Sequence, residues 1–166
     1  MTAAQARLSE LAGEAIRLLI SRRETIAAAE SLTGGLVAAA LTSIPGASAA
    51  FRGGVVAYAT DLKAAVLGVP DDLLERRGAV DGSVAEAMAE GARTRMWTTV
   101  GVATTGVAGP DPADGKAVGT VYVAVAGPTK TTCRALALAG TRDSIRLATV
   151  ESVLDLLIET IREEDD

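Results

Sequence analysis

Short apolar runs alternate with helical periodicities along this chain, and this alternation limits the folds that it can adopt. The run Thr25–Ala29 has the length and composition of a buried strand, and strands are also predicted at Gly54–Tyr58 and Thr98–Thr104. The first two runs lead directly into helical patterns, as the strand–helix units of an α/β fold do. Two later runs, Thr120–Ala126 and Thr131–Ala139, are joined near a Gly–Pro turn and predict a hairpin.

Six helices are predicted around these strands. Residues 3–21 and 142–161 carry apolar side chains at every third or fourth position, so each of these long helices has one buried face. Asp71 and Asp72 would cap the short helix that ends at Arg77. The other short helices are predicted at residues 36–41, 60–67 and 83–96. The hairpin makes the sheet mixed, so we expect a three-layer α/β/α fold with a mixed, mostly parallel sheet of about five strands.

The composition restricts the partners and the location of the protein. Hydrophobic residues make up 49% of the 166 residues, but only four residues are aromatic, so alanine, valine and leucine must fill the core. A net charge of -5 and the scarcity of aromatic side chains disfavour binding to nucleic acid. No apolar run approaches the length of a membrane span. The first 20 residues predict an amphipathic helix and not a signal peptide, so we expect a cytoplasmic protein.

Histidine is absent from the chain, and cysteine occurs once, at Cys133. This excludes a hydrolase that takes a Ser–His or Cys–His pair from this chain. A zinc site of the Cys/His type lacks its ligands, and a single thiol makes no intrachain disulfide. In a serine hydrolase with this sequence, the base must be a carboxylate or a lysine, since lysine can lose its proton when it is desolvated and arginine cannot. The three lysines are Lys63, Lys116 and Lys130.

The first candidate for chemistry is the junction between the first strand and the helix that follows it. Ser31 lies in this junction, where a sharp turn could present its hydroxyl as a nucleophile elbow does. Gly34 and Gly35 open the helix, so backbone N–H groups and the positive end of the helix dipole converge there. The alternative is that Ser31 or Thr33 only caps the helix, which is the commoner role of such a residue.

Tyr58 and Lys63 form the second candidate, where the second strand leads into a short helix. A strand end and the first turn of the next helix commonly share a cleft in α/β folds. Lys63 is therefore a candidate base, and Tyr58 is its neighbour in the same segment. The alternative is a solvated Lys63 and a Tyr58 whose ring only packs.

Two further segments could bind an anion. Thr105 and Gly106 lie in a glycine-rich junction after the third strand, where the backbone could approach a ligand and donate to an oxyanion or a phosphate. The alternative for this junction is a turn that requires positive φ. Arg142 and Arg146 stand one turn apart at the start of the last helix, where they could clamp an anion or pair with surface carboxylates.

Taken together, these motifs resemble the CinA C-terminal-domain family. The matching segments are AESLTGG (29–35), GGVVAYATDLK (53–63), LGVP (67–70), GAV (78–80), TTGVAGPD (104–111), VGTVYVAVAG (118–127) and GTRDSIR (140–146). The resemblance runs from about residue 5 to about residue 160, so we expect one domain over residues 1–166. Many relatives of the family have a larger N-terminal domain before this one, and from the length of this chain we expect the stand-alone form.

The resemblance implies an activity and a set of site residues. The characterised activity of the family is nicotinamide-nucleotide amidohydrolase, which converts the carboxamide of nicotinamide mononucleotide to the acid and releases ammonia during pyridine-nucleotide recycling. The family's serine, tyrosine and lysine fall on Ser31, Tyr58 and Lys63. The resemblance also implies a small-molecule substrate and a homo-oligomer, and we expect neither a cofactor nor a metal. The candidates for substrate binding are Thr33, Gly34, Gly35, Thr105, Gly106 and Arg142.

The mechanism expected from this set is acyl transfer through a serine. Lys63 would take the proton from Ser31, and backbone N–H groups near Gly34–Gly35 or Thr105–Gly106 would hold the oxyanion. Tyr58 would relay a proton to the leaving ammonia or tune the base. The alternatives are a non-catalytic nucleotide- or partner-binding module related to competence or DNA damage, and hydrolysis of another pyridine carboxamide.

The chain departs from the usual residues of the family at four positions near these motifs. Leu32 stands where many relatives have cysteine, so a thiol at this position is not essential to the mechanism. Ala59 and Thr60 replace the commoner Ser–Asn pair, and Asp81 stands where serine is common. The serine, tyrosine and lysine of the family are all retained.

Overall fold

Five strands form one mixed sheet in the computed structural model, which describes residues 1–166. The strands are β1 (Ile26–Glu30), β2 (Phe51–Val56), β3 (Val100–Gly106), β4 (Thr120–Ala126) and β5 (Thr131–Ala137). Their order across the sheet is β2-β1-β3-β4-β5. β1 pairs in parallel with β2 and β3, whereas β4 pairs antiparallel with β3 and β5. Four strands therefore run one way and β4 runs the other, which confirms the predicted mixed, mostly parallel sheet.

Six α-helices and one short 3₁₀ helix accompany the sheet. The α-helices are α1 (Ala3–Ser21), α2 (Leu36–Thr42), α3 (Thr60–Leu67), α4 (Asp71–Arg77), α5 (Gly82–Arg95) and α6 (Arg142–Glu163). The number of α-helices predicted from periodicity is confirmed. The 3₁₀ helix (Ala47–Ala49) was not predicted and follows Gly46, whose φ of 86° turns the chain after α2. None of the helices is long and apolar enough to cross a lipid bilayer.

The helices lie on both faces of the sheet, so the predicted three layers are present. α1, α2 and α6 share one core with Ile26 and Ala28 of β1, while α3, α4 and α5 share the other core with Ala27 and Ala29. This division follows from the alternation of side chains along a strand. The second core is rich in alanine, and α5 lies very close to the sheet. A Cβ atom at Gly101 would come within 2.1 Å of a backbone oxygen of α5.

The bounds of β1, β2, β3, β5 and three helices differ from the predicted ones by one to three residues. β2 begins at Phe51 and ends at Val56, so Tyr58 lies beyond the strand and not at its last position. β2 is an edge strand in which half-buried and exposed residues alternate. Because the strand was predicted from an apolar run, its solvent-facing residues were not all included. Asp71 and Asp72 are not the caps of α4, because Pro70 occupies the N-cap and both aspartates lie in the first turn. Their negative charges favour the helix start there.

β1, β2 and β3 are parallel, so the three connections that follow them lie together at the carboxyl-terminal end of the sheet. The segments that follow β1, β2 and β3 all leave from the carboxyl ends of adjacent strands. Ligand sites in open α/β sheets form at this end, where the connections diverge to opposite faces. Here the chain after β1 leads to α2 on one face, and the chain after β2 leads to α3 on the other.

Candidate functional site

A cavity of about 210 Å³ opens at the carboxyl ends of β1, β2 and β3. Its walls come from the connections after these strands, from the segment between α4 and α5, and from the first residue of α6. Six of the residues selected from the sequence line it, namely Ser31, Tyr58, Lys63, Thr105, Gly106 and Arg142. Residues separated by more than 100 positions in the chain therefore meet in one cavity.

Ser31 and Lys63 form a hydrogen-bonded pair inside the cavity. Lys63 Nζ donates to Ser31 Oγ over 3.0 Å, and the two residues are only 1% and 8% exposed respectively. The backbone N–H of Ser31 donates to the carbonyl of Thr104 over 3.1 Å, which continues the pairing of β1 with β3 by one residue. The hydroxyl is thus held at a strand end within hydrogen-bond reach of an amine, which is the geometry of an activated nucleophile.

The three acceptors around Lys63 Nζ match the three hydrogens of the ammonium, and two of them can still be served after one proton is lost. Nζ also donates to the carbonyl of Ala57 over 2.7 Å and to that of Tyr58 over 3.3 Å. A neutral lysine has two hydrogens and one lone pair. The hydrogens can stay on the two carbonyls while the lone pair accepts the proton of the Ser31 hydroxyl.

Burial changes the acidity of this lysine. Desolvation lowers the pKa of Lys63 to about 8, and the negative charge of Asp114 opposes that shift in part. A lysine with this pKa is partly neutral close to neutral pH, as a general base must be. Asp114 was not selected from the sequence, where only its position in a polar loop after a strand could have indicated a role.

Tyr58 lies at the rim of the cavity, and its ring is largely exposed. Its phenol oxygen accepts a hydrogen bond from Arg142 Nη2 over 3.1 Å, so the hydroxyl faces the arginine while the backbone carbonyl faces Lys63. Arg142 Nη1 also donates to the carbonyl of Gly109 over 2.6 Å. The first residue of α6 therefore links the loop after β2 to the loop after β3.

Thr33, Gly34 and Gly35 do not line the cavity. Thr33 is completely buried, and its hydroxyl shares a 2.8 Å hydrogen bond with that of Thr104. The capping role considered for Ser31 or Thr33 is wrong, since Gly35 is the N-cap residue of α2 and the two hydroxyls bond to Lys63 and Thr104 instead. The glycines instead provide the positive φ angles of the turn, 56° at Gly34 and 104° at Gly35.

The N-terminus of α2 is occupied by a side chain of the protein itself. The two carboxylate oxygens of Glu30 accept the backbone N–H groups of Val37 and Ala38 over 2.8 and 3.1 Å. Glu30 ends β1 and is 2% exposed, so its charge requires partners inside the protein. These donors are therefore not available to a substrate.

Several residues that line the cavity have a backbone N–H without an acceptor. The N–H of Gly34 is used, because it donates to the carbonyl of Ser31 over 3.0 Å. The N–H of Leu32 has no acceptor in the protein, and Leu32 lines the cavity. Across the cavity, the N–H groups of Ala108 and Gly109 also have no acceptor. The side chain of Leu32, which stands where many relatives have cysteine, is buried in the hydrophobic core and packs there.

The segment between α4 and α5 forms another wall of the cavity, and hydrogen bonds from polar side chains hold this segment in place. Thr105 Oγ1 donates to the carbonyl of Ala79 over 2.7 Å, and the N–H of Ala79 donates to Asp114 Oδ2 over 3.1 Å. Lys116 Nζ donates to the carbonyl of Val80 over 3.1 Å. The hydroxyl of Thr105 is thus committed to the wall of the cavity.

Both arginines at the start of α6 bind backbone carbonyls. Arg146 Nε donates to the carbonyl of Leu32 over 2.9 Å, and Nη2 donates to that of Thr33 over 3.2 Å. Neither Arg142 nor Arg146 pairs with a surface carboxylate, which was the alternative considered from the sequence. Sequence spacing shows that two arginines share a helix face, but the carbonyls that they meet come from distant segments.

Asp81 caps a helix and has no contact with Ser31 or Lys63. Its carboxylate accepts the backbone N–H of Ser83 over 2.9 Å at the start of α5. Serine and aspartate are both good N-caps, so this departure from the family preserves the local structure. No group of three or more histidine, cysteine, aspartate or glutamate residues is arranged to hold a metal ion.

Comparison with known proteins shows a consistent set of relatives. The family model described as the CinA C-terminal domain matches residues 8–161. The CinA-like protein of Frankia casuarinae is 53% identical over 147 residues, which are 89% of this chain and 34% of that protein. The CinA-like protein of Gloeobacter violaceus is 47% identical over 150 residues, 89% of this chain and 35% of that protein. The chain therefore spans about a third of the length of these curated relatives.

Solved structures of comparable length share the fold. The competence/damage inducible protein CihA from Agrobacterium tumefaciens has a TM-score of 0.89 and 38% identity, over 92% of this chain and 94% of that chain. A protein of the competence-damaged protein (CinA) superfamily from Escherichia coli has a TM-score of 0.91 and 28% identity, over 96% and 93% of the two chains. The similarity in structure thus extends over nearly the whole chain.

Proposed function

The chain belongs to the CinA C-terminal domain family, and on this premise we propose that it is a serine amidohydrolase with Ser31 as nucleophile and Lys63 as base. The observation that carries the proposal is the 3.0 Å hydrogen bond from Lys63 Nζ to Ser31 Oγ within the cavity. The chain contains no histidine, and of the carboxylates and lysines that could serve as base, Lys63 is the one bonded to the Ser31 hydroxyl.

The substrate that we propose is nicotinamide mononucleotide, as the family resemblance implies. This molecule carries a pyridinium cation and a phosphate anion in addition to the reactive carboxamide. The cavity has charges of both signs, with Asp111 and Asp114 in one loop and Arg142 at the start of α6. The guanidinium of Arg142 has five N–H donors, of which some remain for a phosphate beyond those given to Gly109 and Tyr58.

In the first half-reaction, neutral Lys63 takes the proton of the Ser31 hydroxyl as Oγ attacks the carboxamide carbon. The developing oxyanion is stabilised by free N–H groups on the two sides of the cavity, those of Leu32 and of Ala108 or Gly109. The Lys63 ammonium then gives its proton to the departing nitrogen, so that ammonia leaves and an acyl-serine remains.

In the second half-reaction, Lys63 is neutral again and takes a proton from water, whose oxygen attacks the acyl-serine. Collapse of this intermediate breaks the bond to Ser31 Oγ, and the lysine ammonium returns the proton to the serine. The products are the pyridine carboxylic acid nucleotide and a regenerated Ser31. One water is consumed and one ammonia is released in each cycle.

The proposal is tested by measuring ammonia release from nicotinamide mononucleotide by the purified chain, with and without a metal chelator. We expect release in both conditions and none with Ser31→Ala. Binding of the nucleotide without ammonia release would contradict the proposal and favour a non-catalytic binding module. Faster hydrolysis of nicotinamide riboside or another pyridine carboxamide would change the proposed substrate but not the reaction.

The oligomeric state and the cellular location that were expected from the sequence are part of the same proposal. We propose that the active form is a homo-oligomer in the cytoplasm. Light scattering coupled to size-exclusion chromatography measures the oligomeric state, and a single species with the mass of one chain would contradict this part of the proposal.

A further inference from the structure

Ser31 begins a tight turn, and Arg146 of α6 contacts both central residues of that turn. The turn is closed by the N–H of Gly34, which donates to the carbonyl of Ser31 over 3.0 Å. Its central residues are Leu32 and Thr33. Arg146 Nε donates to the carbonyl of the first over 2.9 Å, and Nη2 donates to that of the second over 3.2 Å. One guanidinium thus holds the Leu32–Thr33 and Thr33–Gly34 peptides of the turn, while Gly34 holds the peptide between Ser31 and Leu32.

The turn is shaped to admit this guanidinium. A Cβ atom on Gly34 would lie 3.2 Å from Arg146 Nη2, and the φ of Gly34 is 56°, a conformation that side chains disfavour. Glycine therefore meets two demands at this position, the direction of the turn and the close approach of the arginine. Gly34, which belongs to the Gly–Gly pair that the sequence offers as an anion site, instead makes room for a side chain of the protein.

The direction of each carbonyl in the turn sets the direction of the N–H in the same peptide. A trans peptide is planar, and its C=O and N–H point in opposite directions. The carbonyl of Ser31 is held by Gly34, so the N–H of Leu32 points away from the interior of the turn, and it has no acceptor in the protein. Leu32 lines the cavity and follows the nucleophile, the position that supplies an oxyanion donor in a nucleophile elbow.

We propose that Arg146 is a positioning residue that holds the turn after Ser31 so that the N–H of Leu32 is available to the oxyanion formed during acyl transfer. The inference rests on the proposed function, because an oxyanion forms only if Ser31 attacks a carbonyl carbon. Arg146 itself does not touch the substrate. The planar guanidinium of Arg146 presents two N–H donors that reach two adjacent carbonyls. The compact ammonium of a lysine does not reproduce this arrangement.

The test is Arg146→Lys, which keeps the charge but loses the fork. Removal of an oxyanion donor lowers kcat by about 100- to 1000-fold, and a displaced donor costs less, so we expect a loss of about 10- to 100-fold. KM should stay within about twofold, since an interaction confined to the transition state affects kcat. Arg146→Ala should regain part of its kcat when methylguanidinium is added, whereas a loss caused by unfolding would not respond.

Arg52→Lys is the matched control. Arg52 Nε also donates to a backbone carbonyl, that of Met96 over 2.9 Å, but it lies near the start of β2 and does not line the cavity. We expect this variant to keep the kcat of the unaltered protein. Circular dichroism of all variants measures the folded fraction, so that kcat values are compared per folded molecule.

A second readout does not depend on activity. The N–H groups of Gly34 and Leu36 are bonded to the carbonyls of Ser31 and Thr33, and hydrogen exchange measured by NMR reports how firmly the turn is held. Exchange at both positions should rise in Arg146→Lys and stay unchanged in Arg52→Lys. Unchanged exchange in Arg146→Lys would overturn the inference whether or not the protein is active.

Two kinetic results would also overturn it. An unchanged kcat in Arg146→Lys would show that the turn does not need the two N–H donors of the guanidinium. A raised KM with unchanged kcat would make Arg146 a substrate-binding group. An inactive unaltered protein would contradict the proposed function, and in that case the exchange measurement still decides whether Arg146 holds the turn.

Discussion

Lys63 donates a 3.0 Å hydrogen bond to Ser31 although 32 positions separate the two residues in the chain. The sheet explains the contact. β1 and β2 are parallel neighbours whose last residues, Glu30 and Val56, are paired. Ser31 follows the first of these strands directly, and Lys63 is the fourth residue of α3, which begins soon after the second. Two short connections at the carboxyl-terminal end of the sheet therefore place the Ser31 hydroxyl beside the Lys63 amine.

Ser31→Ala should abolish ammonia release from nicotinamide mononucleotide and leave the fold intact, because the alanine removes only the hydroxyl. The measurement is a coupled ammonia assay, accompanied by circular dichroism. Ser83→Ala is the matched control, since Ser83 is exposed and lies away from the cavity. Appreciable turnover by Ser31→Ala would rule out the serine as nucleophile.

Lys63→Arg should lower kcat by at least about 100-fold, within the range that general base catalysis contributes, because arginine stays protonated at every accessible pH. Steady-state kinetics at pH 8 measures the loss. Lys130→Arg serves as the control, because Lys130 forms a surface ion pair with Glu163. Near-normal kcat in Lys63→Arg would mean that another group removes the proton.

The pH dependence of the reaction should follow the titration of Lys63. Burial lowers the pKa of this lysine to about 8, and only the neutral amine can act as base. We therefore expect kcat/KM to increase as the pH rises through about 8 and to reach a plateau above it. A profile that is flat between pH 6 and 9, or that falls with rising pH, would contradict the assignment.

Asp114→Asn should shift that profile toward lower pH. The charge of Asp114 raises the pKa of Lys63, so removing the charge lowers this pKa and makes the amine neutral at lower pH. Asparagine keeps an oxygen that can accept the N–H of Ala79, so the wall of the cavity should persist. Measurement of kcat/KM against pH gives the midpoint, and a midpoint that moves upward would contradict the electrostatic argument.

Glu30→Gln should reduce the free energy of unfolding by about 1–3 kcal/mol, the cost of an unsatisfied buried donor. Glutamate accepts two N–H groups of α2 with two oxygens, whereas glutamine has one oxygen and one NH₂ group. Urea unfolding measures the loss. Glu75→Gln is the control, because Glu75 is exposed on α4 and makes no hydrogen bond, and equal stability of the two variants would contradict the capping role.

Local periodicity predicted most elements because the spacing of apolar residues along the chain reflects which face of each element is buried. The bounds of α1 and α3 agree with the prediction, as do those of β4. The residues retained from the family motifs, Ser31, Tyr58 and Lys63, lie in one cavity, and so does Arg142. What failed was the role of individual polar groups, such as the supposed cap at Thr33, whose hydroxyl bonds to Thr104 instead.

The sequence by itself determined the alternation of strands and helices, the absence of histidine and the short set of groups that could serve as base. Only the tertiary structure decided which donors remain free. Glu30 accepts the N–H groups at the start of α2, and Arg146 donates to the carbonyls after Ser31, whereas the N–H of Leu32 has no acceptor. The physical reason is that most buried polar groups find hydrogen-bond partners in a folded protein, and distant segments supply those partners only after they pack.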